Sequence, residues 1–179
     1  MKTAIAAAIT ATTALTASAF GQAGSPASQL LRTQTAFDVV VHLPYAQAAP
    51  LFGPEGERPW AGKHWDPQFL YPRPAHDEQG AVFTVQHGAV NAVWVNTLYD
   101  IEARHFIYAY FISEIMVTTI DVRFTSTGAD TTAVHVLYTR TALTPEGNNH
   151  VAAFTANDKS FARAWQESID TYLASRKSR

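Results

Sequence analysis

The chain has 179 residues, 47% hydrophobic and 16% charged, with 9 glycines and 9 prolines, a makeup that excludes a disordered or collagen-like chain and fits one globular domain. Lysine and arginine number 13 against 15 acidic residues, a net charge of −2, and no basic face gathers that would take nucleic acid as a partner. The absence of cysteine removes disulfide frameworks, thiolate catalysis and cysteine-ligated zinc together.

Residues 1–19 place Lys2 ahead of a short run of Ala, Thr, Ile and Leu that closes on Ala17-Ser18-Ala19. This is the layout of a secretory signal peptide, too short and too diluted by threonine for a stable membrane span. Cleavage after Ala19, or after Ala23, predicts a periplasmic or secreted protein. Residues 20–34 are small, polar and Gly/Pro-marked and read as a flexible leader, leaving residues 35–175 as a single domain.

Alternation of Phe37, Val39 and Val41 with Asp38, Val40 and His42 predicts a strand over residues 35–43, stopped by Pro44. Residues 45–52 predict one or two helical turns. Residues 53–74 combine prolines and glycines with Trp60, Trp65, Phe69 and Tyr71, which predicts an ordered loop over part of the core. From residue 81 to 143 the chain is rich in β-branched and aromatic residues, with turn residues between predicted strands 81–86, 92–99, 105–112, 118–125 and 132–141. Connections this short join antiparallel neighbours. Ile120, Val122 and Phe124 alternate with polar residues, so one face of the sheet is buried and the other wet. The strand 105–112 is apolar on both faces; a second subunit covering one of them would make the protein a homodimer.

After Thr144-Pro145-Glu146-Gly147 the period becomes helical, with Val151, Phe154, Phe161, Trp165, Ile169 and Tyr172 on one face. Asn148 or Asn149 is the expected cap, and Arg176, Lys177 and Arg179 suit the negative end of the helix dipole. A helix of about 25 residues with so aromatic a face has to lie on the sheet. The fold expected is α+β: a curved antiparallel sheet of about six strands wrapped around a long C-terminal helix, with a short helical segment after the first strand.

In this helix-grip arrangement the sequence resembles the SRPBCC superfamily, which includes START domains, the birch-pollen allergen fold and polyketide cyclase/dehydrase-like proteins. The resemblance runs from Phe37 to Leu173. It is carried by Pro50-Leu51-Phe52-Gly53-Pro54-Glu55-Gly56-Glu57, the Trp65-Asp66-Pro67 turn, residues 94–100 (WVNTLYD), residues 138–143 (YTRTAL) with Glu146-Gly147-Asn148, and Trp165. It implies a cavity between sheet and helix that holds a hydrophobic small molecule.

The candidate cavity residues are Trp65, Tyr99, Tyr108, Tyr110, Phe124, His135, Tyr138, Phe154, Phe161 and Trp165. Tyrosine suits this task because it joins a large apolar body to one hydroxyl, although packing alone favours aromatics in sheets. His135, in mid-strand, is the candidate acid or base, with Tyr110 or Tyr99 as partner, if the protein is instead an enzyme of cyclase, dehydratase or hydrolase type. A third reading is a structural or interaction domain whose cavity is filled by its own large side chains.

Other chemistry lacks its pattern. The histidines show no spacing that aims two imidazoles at one metal ion, so no metal is expected. There is no G-x-S-x-G, phosphate loop or dinucleotide fingerprint, and no cofactor is expected. Asp100 and Glu102 sit at a hairpin tip, where Asp100 is read as fixing the turn before Arg104.

Overall fold

The computed structural model describes residues 29–177 apart from residue 89. The predicted signal peptide, both cleavage positions and most of the leader lie outside the described residues.

Seven strands form one open antiparallel sheet: β1 (Arg32–Val41), β2 (Gln68–Tyr71), β3 (Val82–His87), β4 (Val90–Asp100), β5 (His105–Ile112), β6 (Met116–Gly128) and β7 (Thr131–Ala142), in the order β1-β7-β6-β5-β4-β3-β2. From β3 to β7 each strand follows its predecessor through a short turn, as a meander requires, β2 reaches β3 through the ten residues 72–81, and the first strand pairs with the last. Between β1 and β2 the chain makes α1 (Tyr45–Ala48), a 3-10 turn (Ala49–Phe52) and α2 (Pro54–Glu57). The long α3 (Gly147–Lys177) lies across the concave face. Among the described residues no helix is long and apolar enough to cross a membrane.

Four local expectations are corrected. The first strand begins at Arg32, inside the segment read as leader, because its edge is tied down: Leu31 donates its backbone N–H to Asn148 Oδ1 at 2.7 Å, and Gln34 bonds Thr139. The segment read as an ordered loop over the core contains both α2 and β2; Pro54 occupies the first turn of α2, where a missing N–H costs nothing. Six further residues of helix appear at the C-terminal element than a 25-residue estimate allows, since it spans 31 residues. Its first turn is not capped by an asparagine. Thr144 Oγ1 accepts from Gly147 N at 3.1 Å, and Asn148 serves β1 instead.

Alternation sorts the faces as period-two patterning demands. Ile120, Val122 and Phe124 are buried, and Thr119, Arg123 and Thr125 are exposed. On β5, Phe106, Tyr108, Tyr110 and Ile112 point to the core, leaving Phe111 outward and exposed. At the turn that follows β4, Ala103 N donates to Asp100 Oδ1 at 2.7 Å and Arg104 takes a positive φ of 57°.

Candidate functional site

The sheet and α3 do not close on each other completely. Between them lies a cavity of about 410 Å³, large enough for a small ligand, so the protein's own side chains do not fill it. All 4 tryptophans of the chain, Trp60, Trp65, Trp94 and Trp165, stand on its wall. Tyr108 and Tyr110 enter from β5, Tyr138 from β7, and Phe154 and Phe161 from α3. His64 and Ala164 line the cavity and are also exposed to solvent, which marks its mouth.

Local structure explains why these residues meet. The concave positions of successive strands place Phe83, Trp94, Tyr110, Thr118 and Arg140 opposite one another in a single row across β3 to β7. In the next row lie Tyr108, Ile120 and Tyr138. The aromatic positions of α3 recur at spacings of seven and four, whole turns of the helix, so Phe154, Phe161 and Trp165 share the stripe facing those rows. The segment after the 3-10 turn supplies the remaining wall. Trp60 donates Nε1–H to Leu51 O at 2.7 Å and Trp65 donates to Pro54 O at 2.9 Å, which orients both rings.

Of the candidate residues, Trp65, Tyr108, Tyr110, Tyr138, Phe154, Phe161 and Trp165 line the cavity. Three do not. His135 is on the outward face of β7, its side chain 48% exposed, and its Nδ1 lies 2.8 Å from Oδ1 of Asp38, its direct cross-strand partner. The alternation that buries Val134, Val136 and Tyr138 necessarily turns it out, and it has no place in an internal acid/base pair. Phe124 is buried at one end of the core, packed edge-on against Phe52 at 5.4 Å and Phe106 at 4.9 Å. Tyr99 stacks on Phe106 at 4.1 Å at that same solid end. A bulge between Asn96 and Leu98 shifts the alternation of β4 before Tyr99 is reached.

The polar part of the site is formed mostly by residues outside the candidate set. Arg140 and Asp158 are 1% and 2% exposed and form a bidentate pair, Nη1 to Oδ2 at 2.5 Å and Nη2 to Oδ1 at 2.8 Å, with the Thr35 hydroxyl also donating to Asp158. Arg140 lines the cavity, with its guanidinium 4.5 Å above the Tyr138 ring. Both positions were open to pattern reasoning: Arg140 follows Val134, Val136 and Tyr138 in the inward register, and Asp158 sits between Phe154 and Phe161 on the aromatic stripe of α3. A charge at a core position of one element and its opposite on the facing element is the signal.

Glu57, in α2, also lines the cavity, and burial, with Asp77 adding its charge, raises its carboxyl well above the ordinary value of 4.5. Asp77 is itself raised by burial, although it accepts backbone N–H groups of Glu55 and Gly56 at 2.8 and 3.2 Å. His87 is lowered by burial and then by His64. The cavity phenols Tyr108, Tyr110 and Tyr138 are all raised, chiefly by burial. Tyr108 donates its hydroxyl to Phe52 O at 2.5 Å, which leaves it a wall residue rather than a free acid. No cluster of three or more metal-ligating side chains occurs among the described residues.

No protein-family model and no curated protein matches the sequence. Solved structures do. Norcoclaurine synthase from Thalictrum flavum in complex with dopamine and hydroxybenzaldehyde superposes at a TM-score of 0.59 with 13% identity, covering 84% of this chain and 91% of that one. An aromatase/cyclase from Streptomyces gives 0.54 and 14%, covering 80% and 96%, and an HSP90 activator from Plasmodium falciparum gives 0.53 and 13%, covering 79% and 96%. At these identities the likeness speaks for the fold alone. The chain has the helix-grip fold of these structures, with seven strands in place of the six or so expected.

Proposed function

We propose that this protein is an exported binding protein that holds a hydrophobic small molecule, lipid-like or aromatic, between the sheet and α3. The observation that carries this reading is the composition of the cavity wall: four tryptophans, three tyrosines and three phenylalanines around about 410 Å³. Burying an apolar ligand there gains about 25 cal/mol for each Å² removed from water. Export rests on residues 1–19 and their Ala17-Ser18-Ala19 ending.

The tryptophans make the test direct. Titration of the purified protein with 1-aminoanthracene, an uncharged aromatic probe, should quench the intrinsic fluorescence saturably with one site per chain. Absence of saturable quenching up to the probe's solubility limit removes the binding reading. The raised carboxyl of Glu57 in the same cavity favours a second reading, an enzyme of cyclase, dehydratase or hydrolase type with Glu57 as proton donor. Chemical change of a bound passenger, absent in Glu57→Gln, would select it.

A further inference from the structure

Of the five buried side-chain polar atoms that lack a well-formed hydrogen bond among the described residues, four belong to one small region: Trp94 Nε1, His87 Nε2, Thr118 Oγ1 and Arg140 Nε, the last two on residues that lie beside the Tyr110 hydroxyl and interact with it. Trp94, Thr118 and Arg140 stand in the cross-sheet row that also contains Tyr110. His87 stacks on Tyr110 at 5.5 Å and on Trp94 at 6.1 Å, and the Trp94 and Tyr110 rings lie 4.3 Å apart. All of these but Thr118 line the cavity. Leaving a buried polar group unpaired costs about 1–3 kcal/mol, so Trp94 Nε1 and His87 Nε2, which Tyr110 does not serve, call for a partner in the space in front of them.

The chemistry of the row defines that partner. The indole N–H of Trp94 donates only, and the His87 imidazole can donate or accept. What meets them must therefore accept. Charge narrows it further, because the guanidinium is already paired twice by Asp158 and brings no free positive charge to the cavity. A ligand carboxylate would lose its hydration without gaining a counter-ion. A ligand ammonium would have no acceptor in the row that carries charge.

We infer that this row is a polar subsite for an uncharged acceptor oxygen, such as that of a ketone or quinone, carried by an aromatic ligand whose ring lies along the Trp94–Tyr110 wall. The inference deepens the binding reading and rests on it. Burial, which raises the Glu57 carboxyl and lowers the His87 imidazole, disfavours charge on both groups and so suits the same uncharged ligand.

Four naphthalenes that differ only in one substituent provide the test: 2-acetylnaphthalene, 2-ethylnaphthalene, 2-naphthoate and 2-naphthylmethylammonium, each displacing 1-aminoanthracene at pH 7.5. The ketone should bind about fivefold tighter than the hydrocarbon, the ratio expected of one net hydrogen bond, and at least about tenfold tighter than either ion. Trp94→Phe keeps a ring in the wall and removes the N–H. It should lower the ketone-to-hydrocarbon ratio toward one, a ratio that is independent of any change it makes to hydrocarbon affinity itself. Equal binding of ketone and hydrocarbon by the wild-type protein, or tighter binding of naphthoate or the ammonium, overturns the subsite and leaves the binding reading standing. Failure of the probe and all four compounds to bind ends both.

Discussion

Glu57 is the residue whose environment departs furthest from what its sequence context suggests. Unfolded, its carboxyl ionises near 4.5; folded, burial and then the charge of Asp77 keep the proton on to well above that. Between those two values the folded protein binds more protons than the unfolded chain, so stability falls as pH rises from 4.5 until the folded carboxyl itself ionises. Asp77, also raised, adds a slope of the same sign, while the lowered His87 opposes it below its ordinary 6.5. Glu57→Gln is neutral at every pH and abolishes this residue's share. Thermal melts should show the variant more stable than the parent at pH 8 and nearly equal to it at pH 4, with each kcal/mol read as about 2–4 °C. A variant equally or less stable at pH 8 would mean that the carboxyl is ionised and solvated. None of this was legible beforehand, because α2 lies in a stretch without hydrophobic period; His135 was expected in the cavity with Tyr138, although the alternation that turns Tyr138 inward turns His135 out.

Elements with a regular period were legible and elements held by tertiary contacts were not. The strands from residue 82 onward and α3 carry their own pattern of inward apolar residues. The four-residue β2 has no such pattern and exists because its edge meets β3, with Phe69 stacked on Phe83 at 5.3 Å. At the opposite edge of the sheet, β1 is covered by α3 through side chains. Thr33 bonds Thr155, Thr35 bonds Asp158, and the Gln166 amide pairs with β1 as a further strand would, accepting from Val40 N and donating to Val40 O, both at 2.8 Å. An uncovered edge strand invites pairing with another chain. Gln166→Ala should lower stability by about 1 kcal/mol and raise concentration-dependent association, seen by light scattering near 1 mM protein. Unchanged melting and scattering would show that water replaces the amide at no cost.

At the scale of the whole molecule, a cavity of about 410 Å³ makes stability and occupancy one property. A ligand that binds the folded state alone stabilises it by RT ln(1 + [L]/Kd), about 2.7 kcal/mol at a hundred times Kd, or roughly 5–11 °C in a domain of this size. The melting temperature should therefore climb with the logarithm of 1-aminoanthracene concentration once Kd is passed. Ala164 stands exposed at the mouth on α3, where a larger residue is compatible with helix and meets solvent on its other side. Ala164→Trp should leave the ligand-free melting temperature within about 2 °C of the parent's, since no core contact is removed, and reduce the ligand-induced rise at fixed probe concentration. A parent-sized rise in this variant would place the entrance elsewhere, and no rise in either protein would separate the cavity from ligand binding altogether.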